Sequence, residues 1–159
     1  MIRNVIIIIC IFNILACKPV GEKSLENVKH YPFSCLSSQN SCNLDTEYGD
    51  FIISFSGLTE EGKLKTELPF DIQVEFKANK NSHQLVSIQS YLEGKDMFMG
   101  KVPVFFQLNE NKNRMQAQTL LANCSEEVMT WNLWLIINIA VDDKVEQERL
   151  LIEFDSIRL

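Results

Sequence analysis

Histidine is nearly missing from this sequence: only His30 and His83 stand among 159 residues. There is no His-Glu-x-x-His metal motif, and His83 sits in Asn81-Ser82-His83-Gln84, a polar turn context in which a solvated ring is expected. Glycine is scarce too, with 6 residues, none spaced as a phosphate-cradling loop requires. No Gly-x-Ser-x-Gly elbow is present. Lys and Arg never cluster, and the formal net charge is -6. Nucleic acid needs a basic face, so it is not expected as a partner. Attraction to anionic lipid through charge is disfavoured for the same reason. The carboxylate pairs Asp142-Asp143 and Glu60-Glu61 fall in predicted turns and read as solvated. No enzyme is expected.

What the chain does have begins at its N-terminus. Arg3 precedes an apolar run from Val5 to Leu15, followed by Ala16-Cys17. A basic start, an apolar stretch of about 7–15 residues and a small residue make the form of a secretory signal peptide. Crossing a bilayer as a helix takes roughly 20 apolar residues, and this run ends at Lys18-Pro19 well before that. Ile14-Leu15-Ala16-Cys17 resembles the lipobox of bacterial lipoproteins. The resemblance implies cleavage before Cys17 and lipidation of that cysteine, with a membrane as partner through the acyl chains. Each buried CH2 contributes ~0.8 kcal/mol, so several chains anchor stably where one is marginal. With Lys18 after the cysteine, in place of Asp, the same resemblance implies the outer membrane, with the domain facing the periplasm.

Three cysteines remain beyond Cys17: Cys35, Cys42 and Cys124. Export places them in an oxidising compartment, where disulfides persist. Cys35 and Cys42 flank the polar segment from Leu36 to Ser41 and form the favoured pair, worth about 2–3 kcal/mol on the loop-closure estimate. Cys124 is then a buried thiol, an intermolecular partner or a metal ligand, and its pairing with either other cysteine stays open.

From Tyr48 onward the apolar residues recur with period two, the pattern of half-buried strands. Phe51, Ile53 and Phe55 mark one strand. Phe70, Ile72, Val74 and Phe76 mark the clearest, alternating with Asp71, Gln73, Glu75 and Lys77. Val86, Ile88 and Leu92 mark a third. Val102, Val104, Phe106 and Leu108 mark a fourth, where Pro103 points to an edge or bulge. Met115, Ala117, Thr119 and Leu121 follow. Met129 to Val141 is apolar at nearly every position and reads as a strand covered on both faces, or a bent one. Leu150, Ile152 and Phe154 mark a seventh. With no convincing amphipathic helix and no internal repeat, the expectation is an all-β, antiparallel, immunoglobulin-like β-sandwich of about seven strands. The division expected is signal peptide 1–16, then the lipidated N-terminus, tether and cysteine loop 17–45, then the sandwich 46–159.

Two features carry chemistry. Met97 and Met99 alternate in Asp96-Met97-Phe98-Met99-Gly100, which on a strand would put both thioethers on one face. Soft thioether and thiolate ligands select Cu(I), with Cys124 or Met129 as candidates to approach that end of the sandwich. Methionine's usual occupation is to fill core gaps. In Trp131-Asn132-Leu133-Trp134-Leu135, Trp131 is expected in the core, and an exposed Trp134 would anchor a partner. The order of Cys pair, alternating strand, Met97-x-Met99-Gly100 and Cys124 before Trp131 is similar to the YtkA-like and FixH-like immunoglobulin-type periplasmic domains. That resemblance implies copper delivery or assembly of respiratory oxidases, although the histidines of such copper sites are missing here. The reading is a non-catalytic, lipid-anchored binding protein working through contacts with a periplasmic or membrane protein. No resident cofactor is expected, and Cu(I) at Met97, Met99 and Cys124 is the alternative.

Overall fold

A computed structural model describes residues 28–31, 41–109 and 113–159. Cys17, Cys35 and the signal and tether segments lie outside the described residues.

The described chain is all strand and turn. Its strands are β1 (Val28–Tyr31), β2 (Ser41–Thr46), β3 (Gly49–Ser56), β4 (Leu64–Lys65), β5 (Phe70–Ala78), β6 (His83–Gly94), β7 (Val102–Phe105), β8 (Gln107–Leu108), β9 (Arg114–Thr119), β10 (Val128–Val141) and β11 (Lys144–Ile157). They form two sheets. The first, sheet A, runs β1-β11-β10-β6-β7, with β4 added to β11, and the second, sheet B, runs β2-β3-β5-β9-β8. Pairing is antiparallel except where β1 and β4 join β11 in parallel.

Period two decides which side of each sheet is buried, because successive side chains point to opposite faces. Phe70, Ile72, Val74 and Phe76 are at most 4% exposed, and Phe51, Ile53 and Phe55 sit beside them on β3. Sheet A answers with Met129, Trp131, Leu133, Leu135, Ile137 and Ile139, and with Leu150, Ile152 and Phe154. Phe55 and Phe70 of sheet B meet Phe154 of sheet A at centroid distances of 5.5 and 6.4 Å, which ties the two layers together. Trp131 is wholly buried, and its indole N–H donates to Ser156 Oγ at 3.0 Å. A buried donor without that acceptor would cost about 1–3 kcal/mol.

The two-sheet β-sandwich is therefore the one the alternation implies. Its strands exceed seven for physical reasons. The fourth expected strand breaks at Phe106, where the chain leaves β7 in sheet A and enters β8 in sheet B. Pro103 lies on β7, an edge strand where a missing backbone N–H is harmless. β1, β2 and β4 come from segments without a long alternating run, and sheet pairing begins at Val28 and Ser41, ahead of residue 46.

Among the described residues, no second layer covers the outer face of β10. Its odd-numbered residues from Met129 to Ile139 face the core, and its even-numbered residues from Thr130 to Ala140 are only half-buried. His83 is likewise not solvated: it is 6% exposed, because β6 starts there in phase with Leu85. Its Nδ1 donates to the Tyr48 carbonyl at 2.9 Å, since a carbonyl only accepts. Tyr48 belongs to the β2–β3 turn, where Thr46 Oγ1 donates to Gly49 O at 2.6 Å. Gly49 has φ 147°, and a Cβ there would overlap the Lys77 carbonyl of β5.

Candidate functional site

The outward face of sheet A gathers the partner-binding candidate. Register places Pro103, Tyr91, Trp134 and Leu151 directly opposite one another on β7, β6, β10 and β11. Paired residues share a face, so these four form an apolar and aromatic row across the sheet. The Tyr91 and Trp134 rings stack at 6.0 Å with planes 20° apart. Trp134 Nε1–H donates to Glu93 Oε1 at 2.6 Å, which satisfies the indole without burying it. Lys101 Nζ stands 4.3 Å above the Tyr91 ring and 4.0 Å from Glu93. Exposed cation–π contacts contribute about 0.5–1 kcal/mol, a modest bias toward this arrangement. Phe105, 78% exposed, ends β7, the edge strand from which the chain crosses to β8 of the other sheet.

The rim is charged with both signs. Lys95 pairs with Glu153 at 3.0 Å, and the hydrogen bond to that carboxylate holds the ammonium pKa above its ordinary value. Thr130 Oγ1 donates to Asp155 at 2.8 Å beside it. Trp134 thus sits where the alternation allows, opposite the core-facing Trp131. Nothing in the sequence singles out Tyr91, Lys101 or Pro103 as partners of that tryptophan. Period two does put Tyr91 and Glu93 on the face opposite Leu92, but which strand lies beside them is a matter of register that no single segment records.

The methionines are arranged differently from the expected strand. β6 ends at Gly94, and Met97 and Met99 lie in the loop before β7, half-buried against the core. Phe98 between them is 95% exposed. The loop folds back over Gly94, where the missing Cβ leaves room for the Met129 methyl, the Met97 carbonyl oxygen and, 3.4 Å from the Cβ position, Met99 Cγ. The structure therefore brings Met99 and Met129 to one place at the end of β6. Cys124 is a free, half-buried thiol in the β9–β10 connection, turned to the Glu126 carbonyl at 3.7 Å. Among the described residues, no group of three or more His, Cys, Asp or Glu side chains is placed to hold a metal ion.

Cys42 is 1% exposed and disulfide-bonded, so it is not the partner of the free Cys124. Cys35 and the lipidation candidate Cys17 lie outside the described residues. No helix among the described residues is long and apolar enough to cross a membrane.

No protein-family model matches the chain, and no curated protein sequence matches it. A DUF4785 family protein from Legionella pneumophila subsp. pneumophila str. Philadelphia 1 is similar in structure, with TM-score 0.56 and 8% identity. The match covers 72% of this chain and 30% of that one, so the chain spans under a third of that protein's length. The likeness bears on the fold alone: a two-sheet β-sandwich. A superoxide reductase (neelaredoxin) from Ignicoccus hospitalis aligns at TM-score 0.40 and 12% identity, over 82% of this chain and 94% of that one. A likeness that slight carries no argument about this chain.

Proposed function

We propose that the chain is a lipid-anchored, non-catalytic protein of the bacterial envelope that holds a partner protein against the outward face of sheet A. The observation that carries this is the row Pro103–Tyr91–Trp134–Leu151, half-exposed and ordered by the Trp134–Glu93 hydrogen bond. Aromatic residues in a preformed apolar strip are the usual energetic centre of an interface. The alternating rim of Lys95, Lys101, Glu93 and Glu153 suits a protein with an apolar centre and mixed charges, and not a surface of one sign. The anchor rests on the lipobox resemblance at Cys17, and it would confine the partner to the same envelope compartment.

A photo-crosslinking residue at Lys101 in intact cells, with Lys77 on the other sheet as control, tests the reading. One defined protein should be captured at 101 and not at 77. Trp134→Ala should weaken the purified pair about thirtyfold or more, the loss typical of a central aromatic. Capture that is absent, or binding that survives both Trp134→Ala and Tyr91→Ala in folded protein, sinks it.

A second reading, Cu(I) handling, is favoured by the approach of Met99 to Met129 at Gly94. Thioethers are soft ligands suited to Cu(I). Anaerobic titration of Cu(I) against a chromophoric chelator should then give one tight site that Met99→Leu and Met129→Leu abolish. Weak binding that is unchanged in those variants removes the copper reading.

A further inference from the structure

The outward face of sheet B is built from a chemistry unlike that of sheet A. Register sets Ser41, Ser54, Gln73, Gln116 and Gln107 opposite one another on β2, β3, β5, β9 and β8, a row across all five strands. With strands about 4.8 Å apart, the row spans about 19 Å. A second row, Ser56–Asp71–Gln118, lies beside it. Asp71 is fixed at both oxygens, accepting from Ser56 Oγ at 3.1 Å and Gln118 Nε2 at 3.2 Å. A carboxylate has about four acceptor sites, so two stay available.

Apart from Ser41, the residues of these rows line two adjoining hollows that share Asp71 and Gln116. The larger is about 630 Å³ and the smaller about 250 Å³. The larger falls within the roughly 300–1,000 Å³ of small-ligand sites. Phe105 also lines it; this last residue of β7 pairs with Gln89 and follows the core-facing Val104, so alternation turns it outward at the sheet edge.

We propose that this cleft binds a linear, uncharged oligosaccharide. A sugar hydroxyl both donates and accepts, and so do the Gln and Ser side chains that form the longer row. A pyranose also has a face of C–H groups, for which the exposed Phe105 ring is a fitting platform. The strand spacing supplies hydrogen-bonding groups at a repeat close to that of a sugar chain lying across the strands. Asp71 is the one charged residue lining either hollow, which favours a neutral ligand over a phosphorylated or sulfated one. An extended peptide suits the floor less well. The backbone groups of β3, β5 and β9 are already paired within the sheet, so strand addition has no edge to use there.

The test is calorimetric titration of the full-length chain, held in a detergent without a sugar headgroup, with N-acetylglucosamine tetramer and with maltotetraose. Saturable binding of at least one is expected. Gln73→Ala/Gln116→Ala and Phe105→Ala, all at partly or well exposed positions, should keep the circular dichroism of the parent. Each should weaken binding by about tenfold or more, as the loss of a hydrogen-bonding pair or stacked ring entails. Failure of both sugars to saturate overturns the proposal, as does affinity that the two folded variants leave unchanged.

Discussion

Gly94→Ala is the perturbation whose outcome the packing constrains most tightly. Gly94 closes β6 opposite Trp131, and a Cβ there would overlap both the Met129 methyl and the Met97 carbonyl oxygen. The two obstacles differ in kind. The methyl ends a flexible side chain and can swing aside. The carbonyl is backbone, and its loop is tied down by the Lys95 N–H bond to Thr130 O at 3.0 Å. Forcing a methyl group into a filled site costs about 1–3 kcal/mol. Replacing a strand glycine by alanine returns about 0.5–1 kcal/mol of backbone entropy. The net expectation is a loss of about 0.5–2 kcal/mol. With a urea slope of about 1–3 kcal/mol per molar, the midpoint should fall by roughly 0.2–2 M. Tryptophan fluorescence, with the wholly buried Trp131 and the half-buried Trp134 both contributing, follows the transition. In a Met129→Ala background the methyl obstacle is gone, so Gly94→Ala should cost less there, with a coupling of about 0.5–1 kcal/mol. A variant as stable as the parent, or a cost identical in both backgrounds, would refute the reasoning that Gly94 is the floor of the Met97–Met99 loop.

Two further outcomes follow from polar groups, one buried and one half-buried. Ser156→Ala strands the Trp131 indole N–H in the core and should destabilise by about 1–3 kcal/mol in thermal or urea unfolding, whereas a neutral effect would mean the indole is satisfied elsewhere. The Tyr48 phenol is pushed up to about 12, first by burial, then by its hydrogen bond to Glu47 and the charges of Glu47, Glu146 and Glu148. Its neutral form is thus favoured in the folded chain, so its contribution is full below pH 10 and is lost as pH rises toward about 12. Tyrosinate absorbance should show one residue ionising near that value, and Glu47→Gln should bring it back toward 10.

How far the sequence can be read depends on how much of each strand's environment is local. β5 is legible because one face is wholly apolar and the other wholly polar, and both faces behave accordingly. β10 is not, because Trp134, Ile136 and Ala140 stand on its outer face with no second layer above them among the described residues. What compensates Trp134 is lateral: Tyr91 on one side and Leu151 on the other. β1 and β4 are short and pair in parallel with β11, and neither leaves an alternating signature long enough to see. His83 misleads because the turn composition around it is polar, while the phase of β6 sends its ring inward. The methionines mislead in the opposite way: their spacing suits a strand, but Glu93-Gly94-Lys95-Asp96 has already ended it.

The same rule that makes the core readable is what conceals the candidate sites. Alternation tells which residues leave the core, and nothing more. On sheet A the leaving residues that come together are Pro103, Tyr91, Trp134 and Leu151; on sheet B they are serines and glutamines. Both sets are scattered over more than forty positions of sequence and acquire meaning only when register sets them side by side. A glutamine at 73, 107 or 116 is unremarked alone, and as a row about 4.8 Å apart it becomes a surface of repeating donors and acceptors. The two faces carry separable consequences: substitutions at Trp134 and Tyr91 should disturb a protein partner, and substitutions at Gln73 and Gln116 a sugar. The sandwich between them keeps each set on its own rigid sheet, so one face can be altered while the other stays intact.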